Sequence, residues 1–367
     1  MPNDASQRTW GNSIKGVLLC KQYGERQCIV WRTSDIIYLS FIDIDGANWS
    51  PKKITKILSG YSGDDAIIST ATCAISDSTL IIYVRYSSGG NPNVGSCLIH
   101  YNLVDGIVQR YELDFLVSIS ISHCFFDLSL NKIFYSWVDY QNRLYVAMSD
   151  FNGSNSDINY VYPQTFSSGC ELIPIGNKLV YFFKDSNAYI NTAISDLDCS
   201  NFVKTQQAIQ CLNLITIATD GTYAYSFFAQ NLTTSYVCKV DSSGANFTYT
   251  ETDYFSYTWG EMFILDSIIY LLALGYFAKY STTLSYIETG SVHDGGENVW
   301  YMKIDPSNDI YAWTQESYYT NADVTLDHLW TYPGNGPITP TTVQCQVTDM
   351  LIDASTGKTI TPLIGGV

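Results

Sequence analysis

The sequence predicts an all-β chain built from one repeated antiparallel unit, and three observations predict it. The first is the stretch 122–155, which alternates short apolar runs with polar turns: strand 123–126, turn 127–131, strand 133–138, turn 139–142, strand 144–148 and turn 150–155. The second is a tyrosine before or within each second strand, at Tyr135, Tyr181, Tyr225 and Tyr270, in steps of 46, 44 and 45 residues. The third is the closing turn, where Asp150, Asp196 and Asp241 each have an asparagine five residues on, at Asn155, Asn201 and Asn246. A unit of about 45 residues with three or four strands buries neither face alone, so it must stack on its neighbours. The expected architecture is a seven-bladed β-propeller of four-stranded antiparallel blades with a short C-terminal tail.

In chain order, the blades are expected near 12–57, 58–116, 117–164, 165–209, 210–254, 255–292 and 293–345. The first has strands near 17–20, 28–32 and 36–42. The second carries a Gly- and Asn-rich insertion at 87–96, and the fourth and fifth are the most regular. The sixth uses the apolar run 262–278, which Asp266, Ser267 and Gly275 break, so it reads as two strands joined by an Asp-Ser turn rather than as a membrane helix. The seventh has strands near 299–304, 310–315 and 328–331 and an insertion at 316–327. Residues 343–347, or the segment around Arg8 to Trp10, are expected to complete it. The tail 346–367 has no repeat partner and alternates apolar and polar residues, as an added or exchanged edge strand does.

The turn Asp43-Ile44-Asp45-Gly46-Ala47-Asn48-Trp49 matches Asp241-Ser242-Ser243-Gly244-Ala245-Asn246-Phe247, with Asp first, Gly fourth, Asn sixth and an aromatic seventh. Asp bonds the backbone, Gly takes a positive φ, and the aromatic covers the gap between strands. This turn resembles the Asp-box of sialidase-type propellers, which lies between the third and fourth strands of a blade. The glycine here stands three residues after Asp43 rather than two, so the resemblance is one of role. It implies a structural turn and carries no activity.

Composition narrows the function. Charged residues are only 15% and hydrophobic residues 46%, so Ser, Thr, Asn and Tyr must surface the exposed strands, as suits a sugar-rich outer environment. A net charge of −16 opposes binding to a phosphate backbone, so no nucleic-acid partner is expected. No basic-then-apolar secretory signal is visible at the N-terminus. The expected location is extracellular or on a virion surface, with a cytoplasmic chain as the alternative. Asn48, Asn152, Asn231 and Asn246 open Asn-x-Ser/Thr sequons, three of them on the closing turn, and are candidate glycosylation sites. Ten cysteines show no zinc spacing. Cys20, Cys73, Cys124, Cys170 and Cys211 fall in first strands as small core residues, while Cys28 and Cys345 are disulfide candidates.

Loops after second and fourth strands share one face, and they bring together Asp35, Asp64, Asp65, Asp139, Asp185, Asp253, His293, Asp294 and Glu297, with Tyr61, Trp259, Tyr318 and Tyr319 as aromatic candidates beside them. Such an acidic face attracts Ca²⁺ or a basic partner; Asp is equally a turn residue. A sialidase would need arginines around the ring to grip a carboxylate, yet Arg8, Arg26, Arg32, Arg85, Arg110 and Arg143 all precede residue 144. With no G-x-S-x-G, P-loop or H-E-x-x-H motif either, the expected function is non-enzymatic: a recognition or structural module binding glycan, protein or copies of itself. The alternative is a glycoside hydrolase acting on neutral glycans through loop carboxylates.

Overall fold

The computed structural model describes residues 16–32, 36–43, 50–56, 66–88, 91–113, 119–139, 141, 143–162, 166–231, 233–252, 261–273, 276–291, 299–305, 310–315, 328–331, 351–352 and 359–360. All regular elements among them are strands. Sheet A runs Gly16–Tyr23 (β1), Arg26–Arg32 (β2), Ile36–Asp43 (β3) and Ser50–Lys56 (β4). Sheet B is Ala66–Ser76 (β5), Thr79–Ser88 (β6), Asn91–Asn102 (β7) and Val108–Glu112 (β8), and sheet C is Ile119–Asp127 (β9), Lys132–Asp139 (β10), Leu144–Asp150 (β11) and Asp157–Tyr162 (β12). Sheet D comprises Phe166–Ile175 (β13), Lys178–Asp185 (β14), Tyr189–Asp196 (β15) and Val203–Gln210 (β16). Sheet E comprises Asn213–Thr219 (β17), Tyr223–Ala229 (β18), Ser235–Asp241 (β19) and Thr248–Thr252 (β20). Sheet F has Glu261–Leu265 (β21), Ile268–Ala273 (β22), Tyr276–Ser281 (β23) and Tyr286–Ser291 (β24). Sheet G has Val299–Asp305 (β25), Ile310–Gln315 (β26) and His328–Thr331 (β27), and Leu351–Ile352 (β28) pairs with Thr359–Ile360 (β29). In every sheet consecutive strands are antiparallel neighbours.

The chain divides into two compact units, Ser59–Asp294 and Met1–Leu58 with Gly295–Val367. Within the first unit, the opening strand of each sheet lies beside that of the next, from β5 through β9, β13 and β17 to β21. Second strands are buried on both faces, which is why a stretch such as KIFYSWVD is almost continuously apolar. In β10, Phe134 and Val138 pack with Leu179, Tyr181 and Phe183 of sheet D, while Ile133, Tyr135 and Trp137 pack with Ile81, Tyr83 and Leu98 of sheet B. Outer strands β8, β16 and β20 are mostly exposed, so sheets B, D and E are apolar along their second strands and polar along their rims. In the second unit β1 lies against β25 and β26.

The closing turns carry the interfaces. Asn155 donates to Asp150 (2.5 Å), Asn201 to Asp196 (2.6 Å) and Asn246 to Asp241 (2.5 Å), which gives the Asp-to-Asn spacing its physical reason. Lys132 and Lys178 on the second strands bond the other oxygen of Asp150 and Asp196. Each turn then reaches back to the preceding sheet. Phe151 joins the B–C core, Leu197 and Cys199 the C–D core, Phe247 the D–E core and Leu284 the E–F core. Polar bonds follow the same direction: Phe151 O accepts from His100 Nε2 of sheet B (2.7 Å), and Thr282 O from Lys239 Nζ of sheet E (2.7 Å).

Several expectations change. Register sets Lys132, Lys178 and Tyr223 opposite the closing-turn Asp residues, so the place of Tyr135 and Tyr181 is taken in sheet E by Ser226. Tyr225 is one residue off, and a one-residue offset turns a side chain to the other face. Tyr135 and Tyr181 accordingly face the preceding sheet, whereas Tyr225 packs with Ile269 and Leu271 of the following one. The insertion 87–96 is for the most part the long tip of the β6–β7 hairpin, since β6 extends to Ser88 and β7 starts at Asn91. Cys211 lies just before β17, not within a first strand, although it is buried as expected. Cys28 is a free thiol at 0% exposure on β2, and no disulfide occurs among the described residues. Burial pushes the Cys28, Cys97 and Cys211 thiols up to about 12, which suppresses the thiolate and its reactivity. Within the tail, Leu351–Ile352 (β28) pairs with Thr359–Ile360 (β29), and its other residues lie outside the described ones. The side chain of Cys20, Cys345, the insertion 316–327, the strand 343–347 and the Arg8 to Trp10 segment lie outside the described residues.

Candidate functional site

Antiparallel pairing places the turn between second and third strands at the opposite end of each sheet from the closing turn, and two of the acidic candidates sit there. Asp139 ends β10 at 8% exposure. Its Oδ1 accepts the backbone N–H groups of Gln141 (2.8 Å) and Arg143 (2.9 Å), and its Oδ2 accepts Arg143 Nε (2.6 Å) and Nη2 (2.5 Å). Burial works against ionisation of Asp139, but the bonds from Arg143 and from these N–H groups overcome it and hold the carboxyl below its usual range. Asp185 takes the same place in sheet D, with Oδ1 on the N–H groups of Asn187 and Tyr189, both at 3.0 Å. In sheet E the place holds Gln230, and the neighbouring Asn231 does the capping, accepting from the Thr233 and Thr234 N–H groups (2.8 Å each). All three side chains fasten five-residue hairpin connections, which is the work of a turn residue. Tyr61, Asp64, Asp65, Asp253, Trp259, His293, Asp294, Tyr318 and Tyr319, together with Asp35, Glu297 and the sequon residue Asn48, lie outside the described residues.

Asp139→Ala should therefore lower stability by about 1–3 kcal/mol, the range for stranding buried partners of a hydrogen-bonded carboxylate. Asp139→Asn, which keeps an Oδ1 acceptor, should lose less; urea unfolding of the two variants reads the difference.

Two constellations escaped the sequence reading. On sheet B, Arg110 Nη2 donates to the Tyr86 hydroxyl (2.9 Å), that hydroxyl donates to Glu112 Oε2 (3.1 Å), and Arg110 Nε pairs with Glu112 Oε1 (2.5 Å). The guanidinium also lies 5.2 Å from the Tyr86 ring centre. Burial raises the Tyr86 phenol to about 12, so it acts as a neutral donor. Gly95 on β7 makes this possible, because a Cβ there would stand 2.5 Å from the Tyr86 ring. The alternation Arg110-x-Glu112 on one strand was the available signal, since i and i+2 share a face. The second constellation joins inner strands β9 and β13, where His123 Nε2 stands 3.8 Å from Glu171 Oε2, both partly buried. Among the described residues, no group of three or more His, Cys, Asp or Glu is placed to hold a metal ion.

Acid should loosen the fold by a predictable course. Hydrogen bonds hold the carboxyls of Asp139, Asp150, Asp220 and Asp241 below the usual range, and burial holds His100 low. For all five the folded state resists protonation, so their stabilisation is complete above the ordinary values and is lost as pH falls through the folded ones. The melting temperature should begin to drop below about pH 6.5 from His100 and fall steeply below about pH 4 from the carboxyls. His100→Gln should remove the upper part of that slope alone.

No protein-family model matches the chain, and no curated protein sequence does. Solved structures do. The chain superposes on the β-propeller domain of the Trilobed protease from Pyrococcus furiosus, which has an open velcro topology, with a TM-score of 0.54 at 10% identity, covering 91% of this chain and all of that one. The fold is a β-propeller. The WD40 domain of Neurospora crassa Pan2 gives a TM-score of 0.51 at 9% identity over 85% of the propeller and 86% of that chain. A prolyl endopeptidase gives 0.58 at 12% identity over 92% of the propeller, which spans only half the length of that enzyme. Identities this low carry the fold, and proteins of different function share it. Among the described residues, no helix is long and apolar enough to cross a membrane.

Proposed function

We propose that this propeller is a non-enzymatic recognition or structural module, a subunit of an extracellular or virion-surface assembly that engages glycan, protein or further copies of itself. The observation that carries this reading is the employment of Asp139 and Asp185. A neutral-glycan hydrolase needs two carboxylates free to meet a sugar, one of them with a raised pKa. Both of these are committed to backbone N–H groups, and Asp139 is held low by Arg143. The low charge content and the exposed asparagines Asn152, Asn231 and Asn246 at sequons support an outer location. A panel of chromogenic glycosides tests the reading, with no turnover as the expected result. Turnover abolished by replacing a single loop carboxylate would establish the hydrolase instead. Deleting residues 353–367 and measuring the assembly state by light scattering tests the subunit role. A smaller assembly formed by a folded chain is expected, and an unchanged one would remove the tail from the interface.

A further inference from the structure

We propose that Asn152 is a site of self-modification, at which the closing turn of sheet C converts this asparagine to aspartate through a cyclic imide. Asn152 is exposed and is followed by Gly153, whose backbone nitrogen has no side chain to shield it. The side-chain carbonyl is already activated. Asn152 Oδ1 accepts two hydrogen bonds from Ser154, one from the backbone N–H (3.0 Å) and one from the hydroxyl (2.6 Å). These donors stand where negative charge develops on Oδ1 when a nucleophile attacks Cγ, the arrangement that stabilises tetrahedral intermediates in acyl transfer. The nucleophile is held back by one bond, Gly153 N–H to Asp150 O (2.9 Å), which opens before the nitrogen loses its proton and attacks.

The step balances without a co-reactant other than water. Gly153 N bonds to Asn152 Cγ, the Cγ–Nδ2 bond breaks, and ammonia leaves carrying the proton lost from Gly153 N. Water then opens the five-membered imide. Opening at Cγ gives aspartate, and opening at the main-chain carbonyl gives the isomer whose backbone runs through the side chain. No redox change occurs.

The chain already contains the product. In sheet D the same place in the closing turn holds Asp198, whose Oδ1 accepts the Ser200 N–H (2.9 Å) and hydroxyl (2.6 Å), as Asn152 Oδ1 does from Ser154. The positive-φ place is filled there by Cys199 (φ 63°), where sheet C has Gly153 (φ 78°). The two turns thus differ by an amide against a carboxylate and by a shielded against an unshielded nitrogen. Aspartate at 152 therefore fits the turn as it stands, whereas the isomer lengthens the backbone between Asp150 and Asn155 and breaks their clamp. The conversion also removes the amide that a glycan at Asn152 would need, so the two modifications exclude each other.

The test is to age the purified full chain in mildly alkaline buffer and follow each asparagine by peptide mass spectrometry. Conversion at Asn152 should run roughly tenfold faster than at Asn231 or Asn246, whose next residues carry side chains. Gly153→Cys, the residue of the sheet D turn, should slow it, and so should Ser154→Ala through loss of the hydroxyl donor. Asn152→Asp should leave the melting temperature unchanged. Equal rates at the exposed asparagines, or an unconverted Asn152 in the folded chain under conditions that convert the unfolded one, would overturn the proposal. So would a lowered melting temperature for Asn152→Asp, because the turn would then reject its own product.

Discussion

Phe182→Ala is expected to lower the free energy of unfolding by about 3–5 kcal/mol, the upper range for truncating a buried aromatic. Phe182 is fully buried on β14 and fills the space between sheets D and E with Val180, Ile190, Phe228 and Cys238. Both walls of the resulting cavity belong to sheets held by their own hydrogen-bond ladders, so the site has little freedom to collapse. Phe182→Leu, which keeps most of the volume, should recover the larger part of the loss. Denaturant titrations followed by tryptophan fluorescence measure both. A loss below about 1 kcal/mol for the alanine variant would mean that the sheets are not joined chiefly by these faces.

The second large effect is expected at Gly153. A Cβ there would stand 2.8 Å from Leu113 Cδ2 of the preceding sheet, and φ is 78°. Backbone strain alone is not decisive, because the corresponding place holds Cys199 at 63° and Leu284 at 66°. The clash is what distinguishes the site. Gly153→Ala should cost about 1–3 kcal/mol, combining left-handed strain with overpacking. If the clash contributes, shortening Leu113 in the same chain should return part of it, with a coupling of about 0.5–3 kcal/mol in a double-mutant cycle. Strict additivity would leave strain as the whole cause.

These effects mark what could be read in advance. The Asp-to-Asn spacing was legible because both partners lie in one turn, five residues apart, and the chain repeats it as Asp150–Asn155, Asp196–Asn201 and Asp241–Asn246. The tyrosine column was legible only in part. A step of 44 after one of 46 conceals a shift of one residue, and in a strand that shift exchanges faces, so Tyr225 matched in spacing while facing the other way. The acidic face left two readings open at Asp139 and Asp185 because a capping carboxylate and a ligand-holding one are the same residue type in the same loop. What separates them is the direction of nearby N–H groups, which depends on the hairpin having closed. Cys28 looked like a bridge candidate for the same reason: composition carries no burial, and the packing that encloses its thiol comes from distant residues.

The backward reach of the closing turns gives the array a polarity. Sheets C, D, E and F hold their predecessors by Phe151, Leu197, Phe247 and Leu284, and among the described residues nothing equivalent is extended forward from the same turns. A cut on the C-terminal side of a sheet therefore leaves a vacant socket, whereas a cut on its N-terminal side leaves a hook with nothing to hold. The transferable module is then not a sheet alone but a sheet joined to the receiving face before it. Fragments that end with an intact closing turn should fray from the socket they expose, and adding back the following sheet as a separate chain should be enough to stop it.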